Sequence, residues 1–279
     1  MPDRTNATAS TAGVLRPDEF ARHVRLERVP AGPAVGEWVE NHWSLAWDLP
    51  EGRSFTSEVL PHPTCSLTVE LGSHPRPDVP LGEAVVVTGV CTRRFDVEVR
   101  GTGRVLGVRF RPGGLSALTG VAASVWVDRS VPARGLLPDD LVAALGDPSL
   151  VGQPQVWREL AEAGLGRLTR GPDDRYRTLL GIVADMLADR TLLTVAEVAD
   201  RHSTTVRSLQ RLFTQYVGVG PKWVLARYRM HDVVDALDAG YDGALSDLAH
   251  EYGWYDQAHF TRDFTALVGI PPGRYRDRG

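Results

Sequence analysis

Residues 194–221, TVAEVADRHSTTVRSLQRLFTQYVGVGP, and residues 245–272, LSDLAHEYGWYDQAHFTRDFTALVGIPP, are two copies of one pattern. Val198-Ala199 aligns with Leu248-Ala249, Arg211 with Arg262, Phe213 with Phe264 and Gly218 with Gly269. Each copy reads as a short helix, a tight turn and a longer helix, the layout of a helix-turn-helix. Thr194 with Glu197 forms a T-x-x-E capping box before the first short helix. Ala199 and Ala249 are small where two helices must cross closely. Gly253 suits a left-handed helix end, while Ser203 occupies the corresponding place in the first copy. Thr205 and Asp256 then sit where an N-cap oxygen starts each longer helix. Leu209, Leu212 and Phe213, like Phe260 and Phe264, mark a core-facing stripe. Arg207, Gln210 and Arg211, and Gln257 and Arg262, lie off that stripe.

Between the copies, Pro221 and Gly240 bracket a helix of about 19 residues, roughly 28 Å long at 1.5 Å per residue. That length would hold the two longer helices near one turn of duplex DNA apart, about 34 Å. Charge is distributed to match. The 279-residue chain carries a net −4, which does not by itself suggest a polyanion partner. From Arg201 to Met230, however, there is no acid, while Arg201, Arg207, Arg211, Lys222, Arg227 and Arg229 are all basic. Asp232 to Asp256 then holds seven acids and no base. Phosphate contacts need local positive charge, because released counterions drive them, and the first copy supplies it.

Residues 20–110 read as strand. FDVEVRGTGRVLGVRF (95–110) alternates apolar and charged residues around Gly101 and Gly103, a hairpin signal with one buried face. EWVENHWSLAWDL (37–49), SLTVELG (66–72) and EAVVVTG (83–89) are further strands, separated by turns such as SHPRPDVPLG (73–82). Short strands at this spacing suggest a small sandwich or barrel. RPGG (111–114) ends the sheet, and LSALTG (115–120) forms a short helix. From Pro138 the periodicity is helical, with joints at Gly152, Pro154, Gly171 and Pro172, and with Asp173 or Asp174 capping the next helix. The expected fold is α+β: an unstructured start (1–15), a β-rich sensing domain (16–137), a helical linking and dimerising segment (138–172), and an all-α domain (173–279) with two helix-turn-helix units joined by a linker helix.

Residues 173–279 resemble the DNA-binding domain of the AraC/XylS family of bacterial regulators. GWYDQAHFTRDFTALVGIPPGRYR (253–276) is similar to that family's second-unit signature, with its aspartate, glutamine, histidine-phenylalanine, arginine, phenylalanine, glycine, proline and tyrosine in order. LPHPTCSLTVELG (60–72), GVCTRRFDVEVRG (89–101) and GVRFRPGGL (107–115) resemble an N-terminal domain of actinobacterial family members that brings no known ligand. The resemblance implies transcription control at asymmetric sites, usually by a homodimer, with RNA polymerase as a partner that an activator recruits or a repressor blocks. Carried across, Arg207, Gln210 and Arg211 match DNA-facing positions of the first recognition helix, and Gln257, Ala258 and Arg262 those of the second. Ala258 cannot hydrogen-bond a base, so the first unit should dominate affinity.

Other readings bound this one. Arg211 and Arg262 could instead be exposed helix arginines paired with Asp200 or Asp263. His259 is expected to pack structurally, and Trp223 and Tyr228 to fill the core beside the linker helix. Trp43, Trp47, Arg109 and Arg111 are candidates to line a small-molecule pocket, although the tryptophans also suit a core and Arg109 suits solvent. His42, His62, Cys65, His74 and Cys91 match no zinc spacing, and Cys65 and Cys91 form no CxxC pair. No nucleophile elbow, phosphate loop or dinucleotide fingerprint is present, so neither an enzyme nor a cofactor is expected. No run approaches the roughly 20 apolar residues of a membrane helix. The polar start, MPDRTNATASTAG, lacks a leader's apolar segment, which points to the cytoplasm. The rival from another class is a sensor or adaptor whose helix-turn-helix region binds protein rather than DNA.

Overall fold

Period-two alternation in the first half builds two antiparallel sheets. A computed structural model describes residues 13–72, 76, 79, 82–150, 152–168, 171 and 173–277. After helix α1 (Pro17–His23), the strands are β1 (Val24–Pro30), β2 (Val39–Asp48), β3 (Ser54–Val59), β4 (Ser66–Gly72), β5 (Val85–Thr88), β6 (Phe95–Arg100), β7 (Thr102–Phe110) and β8 (Ser130–Pro132). Six of them form one sheet in the order β1-β2-β7-β4-β5-β8, and β3 pairs with β6 alone. Leu67, Val69, Val87, Leu106, Val108 and Phe110 point to one face of the large sheet and are essentially inaccessible to solvent. The residues between them point the other way, as a pleat requires. There Val24 and Val99, with Leu26, Leu45 and Phe55, pack between the large sheet and the β3-β6 pair.

The expected 95–110 hairpin does not form. β6 pairs with β3, and β7 pairs with β2 and β4, so Gly101 (φ 53°) is a corner at which the chain leaves one sheet for the other. Of the start expected to be unstructured (1–15), residues 1–12 lie outside the described ones, while Val14 bridges Val59 and Leu15 donates its N–H to Glu58 O. The expected joint Pro172 and most of the turn 73–82 also fall outside the described residues.

Helices α2 (Gly114–Thr119), α3 (Asp139–Leu145) and α4 (Pro154–Gly166) cover the apolar face of the large sheet. Beyond them come α5 (Asp174–Ala188), α6 (Val195–Arg201), α7 (Val206–Tyr216), α8 (Pro221–Asp238), α9 (Leu245–Glu251), α10 (Gln257–Val268) and α11 (Pro272–Arg276). The expected division at 172/173 is not a division of cores. One buried cluster runs from Leu67 and Phe110 of the sheet through Tyr176 and Leu179 of α5 to Phe213 of α7 and Tyr228 of α8. A second cluster holds α9 to α11 with the far half of α8, and it takes in Leu15 and Leu60 from the first half of the chain.

Candidate nucleic-acid interface and effector cavity

The two helix-turn-helix units are α6–α7 and α9–α10. In the first, Thr194 Oγ1 accepts from Glu197 N while the Glu197 carboxylate accepts from Thr194 N, which closes the capping box. Thr205 Oγ1 accepts from Ser208 N to start α7, and Asp256 accepts from His259 N to start α10. Between the helices the chain turns through Ser203 at φ 48° in one unit and Gly253 at φ 80° in the other. The next residue closes each turn, Thr204 N onto Ala199 O and Trp254 N onto Ala249 O. Leu209, Leu212 and Phe213 of α7, and Phe260 and Phe264 of α10, are buried.

That burial fixes what remains outside. Arg207, Gln210 and Arg211 on α7 are exposed, as are Gln257, Ala258 and Arg262 on α10. Among the described residues, neither Arg207 nor Arg211 nor Arg262 is ion-paired. The carboxylate of Asp263, an anticipated partner for Arg262, instead accepts from Trp254 Nε1 at 2.9 Å and lies 3.2 Å from His259 Nε2. His259 is thus an exposed side chain near a carboxylate rather than a packed one. The acidic run is partly consumed by structure: buried Asp232 lies 3.7 Å from Arg190, Asp238 accepts from Tyr275 Oη at 2.9 Å, and Asp256 caps α10. Tyr228 is buried as expected, whereas Trp223 is half-buried with the Arg227 guanidinium 4.4 Å over its ring.

A second site lies between the two sheets. A cavity of about 250 Å³ is walled mainly by apolar side chains from both. Its floor follows from the register: Arg28 stands opposite Trp43, Trp43 opposite Gly107, and Arg109 opposite both Asn41 and Ser66. A Cβ on Gly107 would lie 2.2 Å from the Trp43 indole, so glycine is what lets that ring lie flat on β7. Of the candidate pocket residues, Trp43 and Arg109 line the cavity. Trp47 lies outside it, over Gly103, with Nε1 donating to Arg100 O. Arg111 is also elsewhere, donating Nε to Gly36 O at 2.7 Å at the joint with α5.

Arg28 was not anticipated. Its signal was a charged residue on the same strand parity as apolar Val24 and Leu26. The other residues weighed as metal ligands are scattered. His42 faces Glu162 at 3.0 Å, and burial holds its pKa below the usual histidine range. His62 stacks on His231, Cys65 is buried, Cys91 lines the cavity, and His74 lies outside the described residues.

Fold and surface together define a double helix-turn-helix module behind a β-rich domain. Residues 198–278 match a family model described as a helix-turn-helix domain, and residues 27–132 match one described as a domain of unknown function (DUF6597). A Streptomyces lividans protein described as an AraC-like transcription regulator is 32% identical over 83 residues, which are 30% of this chain and 27% of that protein. The match thus spans about a quarter of the relative's length. Among solved structures, the C-terminal domain of AraT, a response regulator from Geobacillus stearothermophilus, is 22% identical with a TM-score of 0.33, covering 40% of this chain and 89% of that one. ToxT from Vibrio cholerae is 10% identical with a TM-score of 0.43, covering 91% and 97%. The C-terminal region of the chain is a helix-turn-helix domain, similar over 83 residues to that AraC-like regulator. Among the described residues, no helix is long and apolar enough to cross a membrane.

Proposed function

We propose that the protein is a sequence-specific transcription regulator that reads DNA with α7 and α10. The observation that carries this is the outer face of α7: Arg207, Gln210 and Arg211 project from an acid-free, N-capped helix, and among the described residues neither arginine has an ion-pair partner. A cation left unpaired on a recognition helix is available to guanine edges or phosphates. One bidentate contact of this kind is worth about 1–3 kcal/mol of discrimination. On α10, Gln257 and Arg262 supply weaker readout and Ala258 only an apolar contact. The α8 helix, 18 residues long and so about 27 Å at 1.5 Å per residue, sets the spacing between the units.

The proposal extends to a homodimer held partly through α4, where Val156 and Leu160 lie one turn apart and 41% and 37% exposed. It also includes cytoplasmic action on RNA polymerase as an activator, and control by a small molecule bound to the β-rich domain. Fluorescence anisotropy of labelled DNA from upstream of the protein's own gene tests the DNA reading. Competitor-resistant binding lost in Arg207→Ala and Arg211→Ala is expected. Equal binding by wild type and both variants would overturn the assignment of α7. If pull-downs with the whole chain instead capture a protein through the α7 face, the adaptor reading takes its place.

A further inference from the structure

The cavity between the sheets has an unbalanced charge. Arg109 faces Glu40 at 3.2 Å and Arg76 faces Glu70 at 3.1 Å, so both have carboxylate partners. Arg28 has none: among the described residues no carboxylate lies within ion-pair distance of its guanidinium. Burial, and then the neighbouring Arg109, push its pKa down to about 10, with Glu40 only partly opposing them. A cation in an apolar enclosure without its own anion is costly, and an incoming anion removes that cost. Behind the cavity lining, at the β2 bulge opposite Arg109, Asn41 is fully buried, and among the described residues neither its Oδ1 nor its Nδ2 has a hydrogen-bond partner. The rest of the wall is mainly apolar, with the Trp43 ring lying flat on Gly107, and also carries the Arg76–Glu70 pair and several hydroxyls such as Thr68 and Thr88.

The same wall meets the linker helix at two places. His62, in the cavity wall, stacks on His231 of α8 with ring centroids 4.0 Å apart, and His231 Nε2 is 3.3 Å from Pro61 O. Next to Cys91 of the wall, Thr92 O accepts from Arg227 Nη2 at 2.7 Å. His231 and Arg227 are both buried.

From this we propose that the cavity is an effector site for a small carboxylate with a compact apolar body, clamped by Arg28 and Arg109, and that α8 reads its occupancy. The ligand's carboxylate satisfies Arg28 and competes with Glu40 for Arg109, while its body fills the space beside Trp43. A volume of about 250 Å³ suits a single-ring or short branched acid better than a long acyl chain. Because α8 spaces the recognition helices, a shift in its contacts with the wall biases how α7 and α10 are presented together. Any such bias is limited to the difference in ligand affinity between the two arrangements. This inference deepens the reading of the protein as a ligand-controlled regulator and rests on it.

The test uses the full-length chain, with indole-3-acetate, phenylacetate, benzoate and decanoate titrated against the corresponding neutral amides. Binding is followed by calorimetry and tryptophan fluorescence, and DNA affinity is measured in parallel with and without each acid. At least one compact acid is expected to bind tenfold or more tightly than its amide. Arg28→Met should abolish that preference and Arg28→Lys should retain part of it, with the thermal midpoint of both variants checked against wild type. His231→Leu should bind the acid but lose its effect on DNA affinity, because it removes the stack on His62. Equal binding of acids and amides, an unchanged preference in Arg28→Met, or no binding by any acid would overturn the proposal. If DNA is bound specifically while every acid fails, the cavity assignment falls and the regulator reading stands. If an acid binds but DNA does not, the regulator reading falls.

Discussion

The first helix-turn-helix unit turns on Ser203 at φ 48°, carries two unpaired arginines on an acid-free helix, and shares its core with the β-sheet. The second turns on Gly253 at φ 80°, presents Ala258 where a base contact is expected, and packs around a separate core that takes in Leu15 and Leu60 from the first half of the chain, with Arg94 also donating to Val268 O at the end of α10. One frame has therefore been given two tasks. The unit with the better DNA-facing chemistry is continuous with the β-rich domain, so its orientation is fixed by that domain's packing. The unit with weaker chemistry has its own core, with the cavity wall meeting the helix that joins it to the first. An effector in the cavity would thus act on the position of the second unit relative to an anchored first one.

Core truncation should separate the units most strongly. Phe213 and Phe264 are equivalent and both fully buried, so each change to alanine should cost about 3–5 kcal/mol locally. Native-state hydrogen exchange should show Phe264→Ala loosening α9 to α11 alone, while Phe213→Ala also loosens α5 and the sheet. Equal spread from both sites would break the idea of two cores. Next comes the turn of the second unit. A Cβ on Gly253 would lie 2.7 Å from Leu193 Cδ2 in a left-handed backbone. Strain of about 1–2 kcal/mol plus overpacking of about 1–3 kcal/mol should make Gly253→Ala strongly destabilising in urea.

On DNA, Arg207→Ala and Arg211→Ala should each weaken operator binding by about 5- to 150-fold, following the 1–3 kcal/mol expected of a bidentate contact. Gln257→Ala and Arg262→Ala should cost less, and binding isotherms for the four variants would rank the units directly. The smallest effect is expected at Ser203. Glycine tolerates its φ of 48° without a Cβ clash, so Ser203→Gly should raise stability by up to about 1 kcal/mol. A loss of stability there would show that the serine side chain stabilises the turn more than its backbone strains it.

Much of the C-terminal half was legible because its signals are local. The capping box at Thr194 and Glu197, the caps at Thr205 and Asp256, and the linker helix starting at Pro221 depend on residues within a turn of one another. The pairing of β6 with β3 instead of β7 was not legible. A period of two identifies a strand and its buried face but not its partner, and Gly101 suits a hairpin and a corner equally. The same limit applied to the cavity. Trp43 and Arg109 come together with Arg28 only through the β1-β2-β7 register, and Arg111 sits one residue past β7, where the alternation that placed Arg109 no longer holds. The continuity of the first unit with the sheet, through Tyr176 and Phe110, was hidden by a Gly-Pro joint that reads as a boundary in sequence.

The most direct measurement is titration of the purified full-length protein against its own upstream DNA at two salt concentrations, with excess nonspecific competitor and with the Arg207→Ala/Arg211→Ala double variant alongside. The account predicts competitor-resistant binding that weakens steeply as salt rises, because counterions are displaced from phosphates, and that is lost in the double variant. Binding no stronger than to competitor, or binding indifferent to both arginines, would contradict it.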